Sequence, residues 1–140
     1  AILSRADEAG EQAAALYGMH LGTAFQLVDD VLDYSGDARE IGKSLGDDLA
    51  EGKPTLPLIY AMQHGTPEQA AVVRNAIEQG DLERFAEVLQ VVQQTGALDY
   101  TRQQAGREAE AACAALAVLP DTQYKQSLLE LAQFAASRQF

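Results

Sequence analysis

The stretch FQLVDDVLDY, residues 25–34, sets three aspartates into ten residues that otherwise read as one buried helix. At about 100° of rotation per residue, Gln26, Asp29, Asp30 and Asp33 fall within an arc of about 100° on one helical face. Leu21, Ala24, Phe25, Val28, Val31 and Leu32 take the opposite side and are expected to supply the core contact. One turn back, the carboxylate face carries Gly18 and Gly22, which lets something bulky approach the backbone.

This arrangement is unfavourable for a helix left to itself. Like charges three and four residues apart repel by a few tenths of a kcal/mol or more. Ser35-Gly36 marks a helix C-terminus, where the macrodipole disfavours anions. A cation is the natural offset. The spacing suits magnesium held through one or two carboxylates, with water and substrate phosphates completing the octahedron. The plain alternative, a solvated acidic surface, stays open for a bare D-D-x-x-D.

Working outward, helical patterning runs almost throughout, with four prolines and no alternating β-branched run. A first helix is expected over 7–34, followed by an irregular, charged segment over 35–53. A second helix begins near Pro54 and ends at Gly65. In TPEQ, Thr66 is the N-cap, Pro67 the first helical residue and Gln69 the return member of a capping box. Gly80-Asp81 closes one helix and opens another, Gly96 ends that one, and Pro120-Asp121 parts the last two. The fold class expected is all-α: six helices, no sheet, one unit over 1–140. The segment 35–53 is too long and too charged to be a mere connector, so function is sought there.

Bulk composition narrows the functional classes. The 140 residues are 47% hydrophobic and 22% charged, which suits a globular domain with a real core. A formal net charge of -11 repels nucleic acid and anionic lipid but leaves room for divalent cations. The single cysteine, Cys113, excludes an internal disulfide and a cysteine-rich zinc site, and its alanine-rich surroundings read as a small buried thiol. No apolar run reaches the roughly 18 residues of a membrane span, and no secretory signal opens the sequence. A reducing, cytoplasmic setting is expected.

Other metal and phosphate motifs fail on detail. The aspartates lack the alternating ligand positions of an EF-hand loop. His20 and His64 sit in neither an H-E-x-x-H nor an E-x-x-H pattern, and His64, before Gly65, suits a helix C-terminus. The run GDAREIGKS is not a P-loop, because five residues separate Gly36 from Gly42 and no strand precedes it. Lys43 and Lys53 remain, compact charges able to meet phosphate oxygens and interleaved with Asp47, Asp48 and Glu51. A helix entered at Pro54 also aims free N–H groups at its approach, a feature suited to an anion.

FQLVDDVLDYSGD followed by GKSLGDDLAEGKPTLPLIYAM resembles the second aspartate-rich region of the trans-polyprenyl diphosphate synthases. The likeness continues through HGTPEQA, IEQGDL and VLPDTQYKQSLLELAQFAASR. Within the family it is to the bacterial octaprenyl branch, which makes the side chain of ubiquinone and related quinones. The resemblance implies the isoprenoid synthase helical fold and Mg²⁺-dependent prenyl transfer. An allylic diphosphate loses pyrophosphate, the double bond of isopentenyl diphosphate attacks the cation, and a proton leaves.

It further implies that Asp29 and Asp33, with Asp30 beside them, hold magnesium against the allylic diphosphate. Gln26 matches a residue near that substrate, Lys43 a contact to its diphosphate, and Lys53 a second lysine of the cluster. Asp47 and Asp48 match outer members of the metal shell. Members of the family are homodimers. The family carries two aspartate-rich motifs facing each other across a helical cavity. The first of them and a Lys-Thr pair have no counterpart here, so the chain is expected to be the C-terminal part of a synthase, inactive alone. Two alternatives remain: a non-catalytic helical module that pairs with another synthase chain, and class I terpene cyclisation, which the match through GKPTLPLIYAM disfavours.

Overall fold

A computed structural model describes residues 6–34, 53–79 and 84–138. Among the described residues there are six α-helices and no strand: α1 (Glu8–Leu32), α2 (Leu56–His64), α3 (Pro67–Gln79), α4 (Phe85–Gln94), α5 (Ala97–Ala115) and α6 (Gln123–Ser137). A 3-10 turn, Leu116–Val118, follows α5. The expected break at Gly80-Asp81 lies outside the described residues.

The helix ends follow local chemistry. Asp7 caps α1, its carboxylate accepting from Gly10 N–H at 2.9 Å. The capping box forms as read: Thr66 N–H donates to Gln69 Oε1 at 2.9 Å, and Gln69 N–H donates to Thr66 Oγ1 at 3.3 Å. Gly96, at φ +72°, reverses the chain after α4. Thr122 caps α6 through Lys125 N–H. Two boundaries differ from expectation. The first helix ends at Leu32, with Asp33 and Tyr34 in a closing turn. The second starts at Leu56, because Thr55, at ψ 163°, is still extended and Pro57 takes an early helical position.

The chain forms two compact units. One comprises residues 1–28 and 103–140, the other 29–102. In the first, Tyr17, Ala112, Leu116 and Ala132 make the buried cluster, with Leu21, Cys113 and Leu128 packed against it. Cys113 is therefore half-buried at the edge of this cluster rather than inside it. His20 Nδ1 meets Glu108 Oε2 at 2.7 Å, tying α1 to α5. The Arg138 guanidinium lies 3.8 Å from the centre of the Phe25 ring. Phe25 is 45% exposed, against the core role expected of it, and the planar cation covers one of its faces.

In the second unit α2, α3 and α4 pack on one another. Tyr34, Leu58, Ala61, Val73, Ala76, Val88, Val91, Val92 and Ala97 form its core. Each fully buried branched side chain contributes about 1.5–3 kcal/mol from area removed from water.

Candidate functional site

The end of α1 and the start of α2 meet in one core. Tyr34, next to Asp33, and Leu58, three residues after Thr55, are both buried in the cluster of the second unit. That shared packing fixes the aspartates at the C-terminal pole of α1 relative to the entry into α2. Lys53 is exposed just ahead of that entry.

The last turn of α1 stays helical through the aspartates. Asp33 N–H donates to the Asp29 carbonyl at 3.0 Å, and Tyr34 N–H to Val31 at 3.1 Å, the tighter spacing that closes a helix. Asp29 and Asp33 thus stand one turn apart on one face, both half-exposed, with exposed Gln26 a turn earlier. Asp30 differs. It is only 6% exposed, at the margin of the face where α1 turns toward its buried side. The wheel put it with the other two because an arc of about 100° reaches that margin. Gln26, Asp29, Asp30, Asp33 and Lys53 are each engaged in a hydrogen bond, ion pair or electrostatic contact. A Cβ at Gly18 or Gly22 would meet nothing within 4 Å, so the approach along α1 is open.

Among the described residues, no three His, Cys, Asp or Glu side chains converge as a self-sufficient metal cage. The donors present fit magnesium nonetheless. Asp29 and Asp33 offer hard carboxylate oxygens from one face, and magnesium takes one or two carboxylates and leaves its other positions to water and phosphate. Lys43, Asp47, Asp48 and Glu51, the other charged members expected here, lie outside the described residues.

His64 is in the last turn of α2, where its Nδ1–H donates to the Tyr60 carbonyl at 3.1 Å. The imidazole also stacks on Tyr60, and Tyr60 on Tyr100. It is a structural residue of the helix end. One residue of interest escaped the sequence reading. Placing the helix start at Pro54 put Thr55 inside the helix, whereas it stands at the N-cap and is 95% buried, at 5% exposure. A threonine followed two residues later by proline was the available signal.

Comparison with known proteins supplies the remaining context. The family described as polyprenyl synthetase matches residues 1–95. Octaprenyl diphosphate synthase of Escherichia coli (strain K12) is 52% identical over 138 residues, covering 98% of this chain and 43% of the relative. The Haemophilus influenzae octaprenyl diphosphate synthase is 51% identical over 141 residues, covering 100% and 43%. Among solved structures, the polyprenyl synthase of Caulobacter crescentus CB15 complexed with calcium and isoprenyl diphosphate matches at TM-score 0.80 and 41% identity. It covers 95% of this chain and 41% of that one. Geranylgeranyl pyrophosphate synthase from Corynebacterium glutamicum, complexed with isoprenyl diphosphate and magnesium, matches at TM-score 0.76 and 28% identity, covering 95% and 39%. The chain spans a little under half the length of the curated relatives it matches. No described helix is long and apolar enough to cross a membrane.

Proposed function

The chain belongs to the polyprenyl synthetase family, and on that premise we propose that it is the diphosphate-gripping part of a trans-polyprenyl diphosphate synthase. Its reaction condenses isopentenyl diphosphate with an allylic diphosphate, with an octaprenyl product for quinone side chains, in a cytoplasmic homodimer. The observation that carries this reading is the pair Asp29 and Asp33, half-exposed one turn apart at a helix pole that disfavours anions.

Magnesium, when bound, neutralises the diphosphate and makes it a better leaving group. Asp29 and Asp33 would hold it, with Asp30 backing them from its buried position. Lys53 and Lys43 place positive charge against phosphate oxygens, where charge grows as the C–O bond breaks. Gln26 orients the substrate a turn away. Apolar helix faces around the reacting carbons keep water from the carbocation.

The sequence holds a single D-D-x-x-D. The 140-residue chain alone therefore elongates no prenyl chain. Exposed Leu16, Met19, Leu131 and Phe134 suit packing against further helices, which gives weight to a second reading, a helical module that acts by pairing with another synthase chain.

The deciding experiment is calorimetric. Magnesium with inorganic pyrophosphate is expected to raise the melting temperature, and Asp29→Ala to abolish the rise. A rise that survives Asp29→Ala removes the aspartate pair from the site. No rise in the unaltered chain favours the pairing module.

A further inference from the structure

Among the described residues three helices begin after a threonine, and two of those hydroxyls cap their helix. Thr66 Oγ1 accepts from Gln69 N–H at 3.3 Å, and Thr122 Oγ1 from Lys125 N–H at 3.2 Å. Thr55 at the head of α2 makes no such bond. Its Oγ1 is closed to solvent and has no hydrogen-bond partner. Buried hydroxyls are ordinarily satisfied, so an orphan at 5% exposure calls for an explanation.

The surroundings supply one. Pro57, at the second position of α2, has no N–H to give, which removes one donor a capping hydroxyl could use. The N–H groups of Leu56 and Leu58 belong to the first turn, which lacks intrahelical partners and carries the positive end of the helix dipole. Lys53 is two residues back. Leu58 shares its core cluster with Tyr34, the residue after Asp33.

We propose that the Thr55 hydroxyl is a diphosphate ligand, donating its proton to a phosphate oxygen seated at the N-terminal pole of α2. The inference rests on the diphosphate reading above and adds to it a neutral donor on a second helix. Thr55 serves a different purpose from Thr66 and Thr122: its oxygen is kept from the amides of its own helix and offered to an oxyanion. The oxyanion reaches it by displacing the atoms that cover it.

The test uses the 140-residue chain, magnesium and inorganic pyrophosphate, with Thr55→Val, Thr55→Ser and Asp29→Ala compared by titration calorimetry and melting. Valine keeps the shape and removes the hydroxyl. Without ligand, Thr55→Val is expected to melt at or above the temperature of the unaltered chain, since an unpaired buried hydroxyl is lost. Its affinity for pyrophosphate is expected to fall about tenfold or more, the scale of a hydrogen bond to a charged group. Thr55→Ser is expected to restore it. A merely structural cap would show the reverse, lower stability and unchanged affinity, and that result overturns the proposal. Binding lost in Asp29→Ala but unchanged in Thr55→Val overturns this inference and leaves the aspartate reading standing. Binding weakened by Thr55→Val but indifferent to Asp29→Ala supports the hydroxyl and overturns the aspartates. No binding in the unaltered chain overturns both.

Discussion

The Tyr17 hydroxyl on α1 donates to the Leu128 carbonyl on α6 at 2.8 Å, across 111 residues of sequence. The ring is buried in the same cluster as Ala112, Leu116 and Ala132, so a polar bond and an apolar contact act together. Burial, and then the neighbouring Cys113, hold the phenol above its ordinary range of ionisation. Tyr17→Phe is expected to lower stability by about 1 kcal/mol, the net worth of one such bond. Above pH 10 the unfolded chain releases this proton before the folded one does, so the contribution falls as pH rises through the folded value. Urea denaturation at pH 8 and pH 10.5 checks this. The unaltered chain should lose more stability between the two than Tyr17→Phe.

Leu58 is fully buried beside the entry to α2. Leu58→Ala is expected to destabilise by about 2–5 kcal/mol through lost burial and the cavity left behind. Because the same side chain shares its cluster with Tyr34, the pyrophosphate-dependent rise in melting temperature should shrink too. Ala71→Gly, on the exposed side of α3, is the control that lowers stability and leaves that rise unchanged.

The capping box at the head of α3 carries an acid-sensitive element. Glu68 is held below the usual glutamate range by its own backbone N–H and then by the Thr66 hydroxyl. A depressed carboxylate contributes above its unfolded value and loses that contribution as pH falls through the folded one. Thr66→Ala is expected to cost about 1 kcal/mol at neutral pH through loss of the cap. It should also flatten, without abolishing, the decline in stability on acidification. Thermal melts between pH 3 and pH 7 measure both.

Gly96 turns the chain at φ +72°, yet a Cβ there would meet nothing within 4 Å. Gly96→Ala should therefore destabilise by about 1–2 kcal/mol through backbone conformation alone. Gly96→Asn should be milder, since asparagine tolerates the left-handed region. Chemical denaturation of both variants orders them.

Gly96, Thr66-Pro67 and Pro120 were legible in the sequence because each marks a helix end through local covalent geometry or a bond within four residues. That was enough to read six helices and no strand. The start of α2 was misread for a similar reason: Pro54 and Pro57 both suit an early helical position, and only the extended backbone of Thr55 tells them apart. Phe25 was misjudged because a helical wheel knows the direction of a side chain but not what lies there. Its cationic neighbour, Arg138, is 113 residues away. At the site, the spacing of Asp29 and Asp33 followed from helix pitch. The burial of Asp30 and the orphaned hydroxyl of Thr55 depend on packing across the chain, which no local pattern encodes.

The ring stack at the end of α2 has a practical consequence. Tyr60 lies on Tyr100 with centroids 4.2 Å apart, and on His64 at 3.9 Å. The chain contains no tryptophan, so tyrosine light is not masked by a stronger emitter. Rings locked in an asymmetric pile give near-ultraviolet circular dichroism that vanishes when fixed packing is lost. The molecule thus carries its own unlabelled optical gauge of whether α2, the helix that Thr55 precedes as N-cap, is seated on α5.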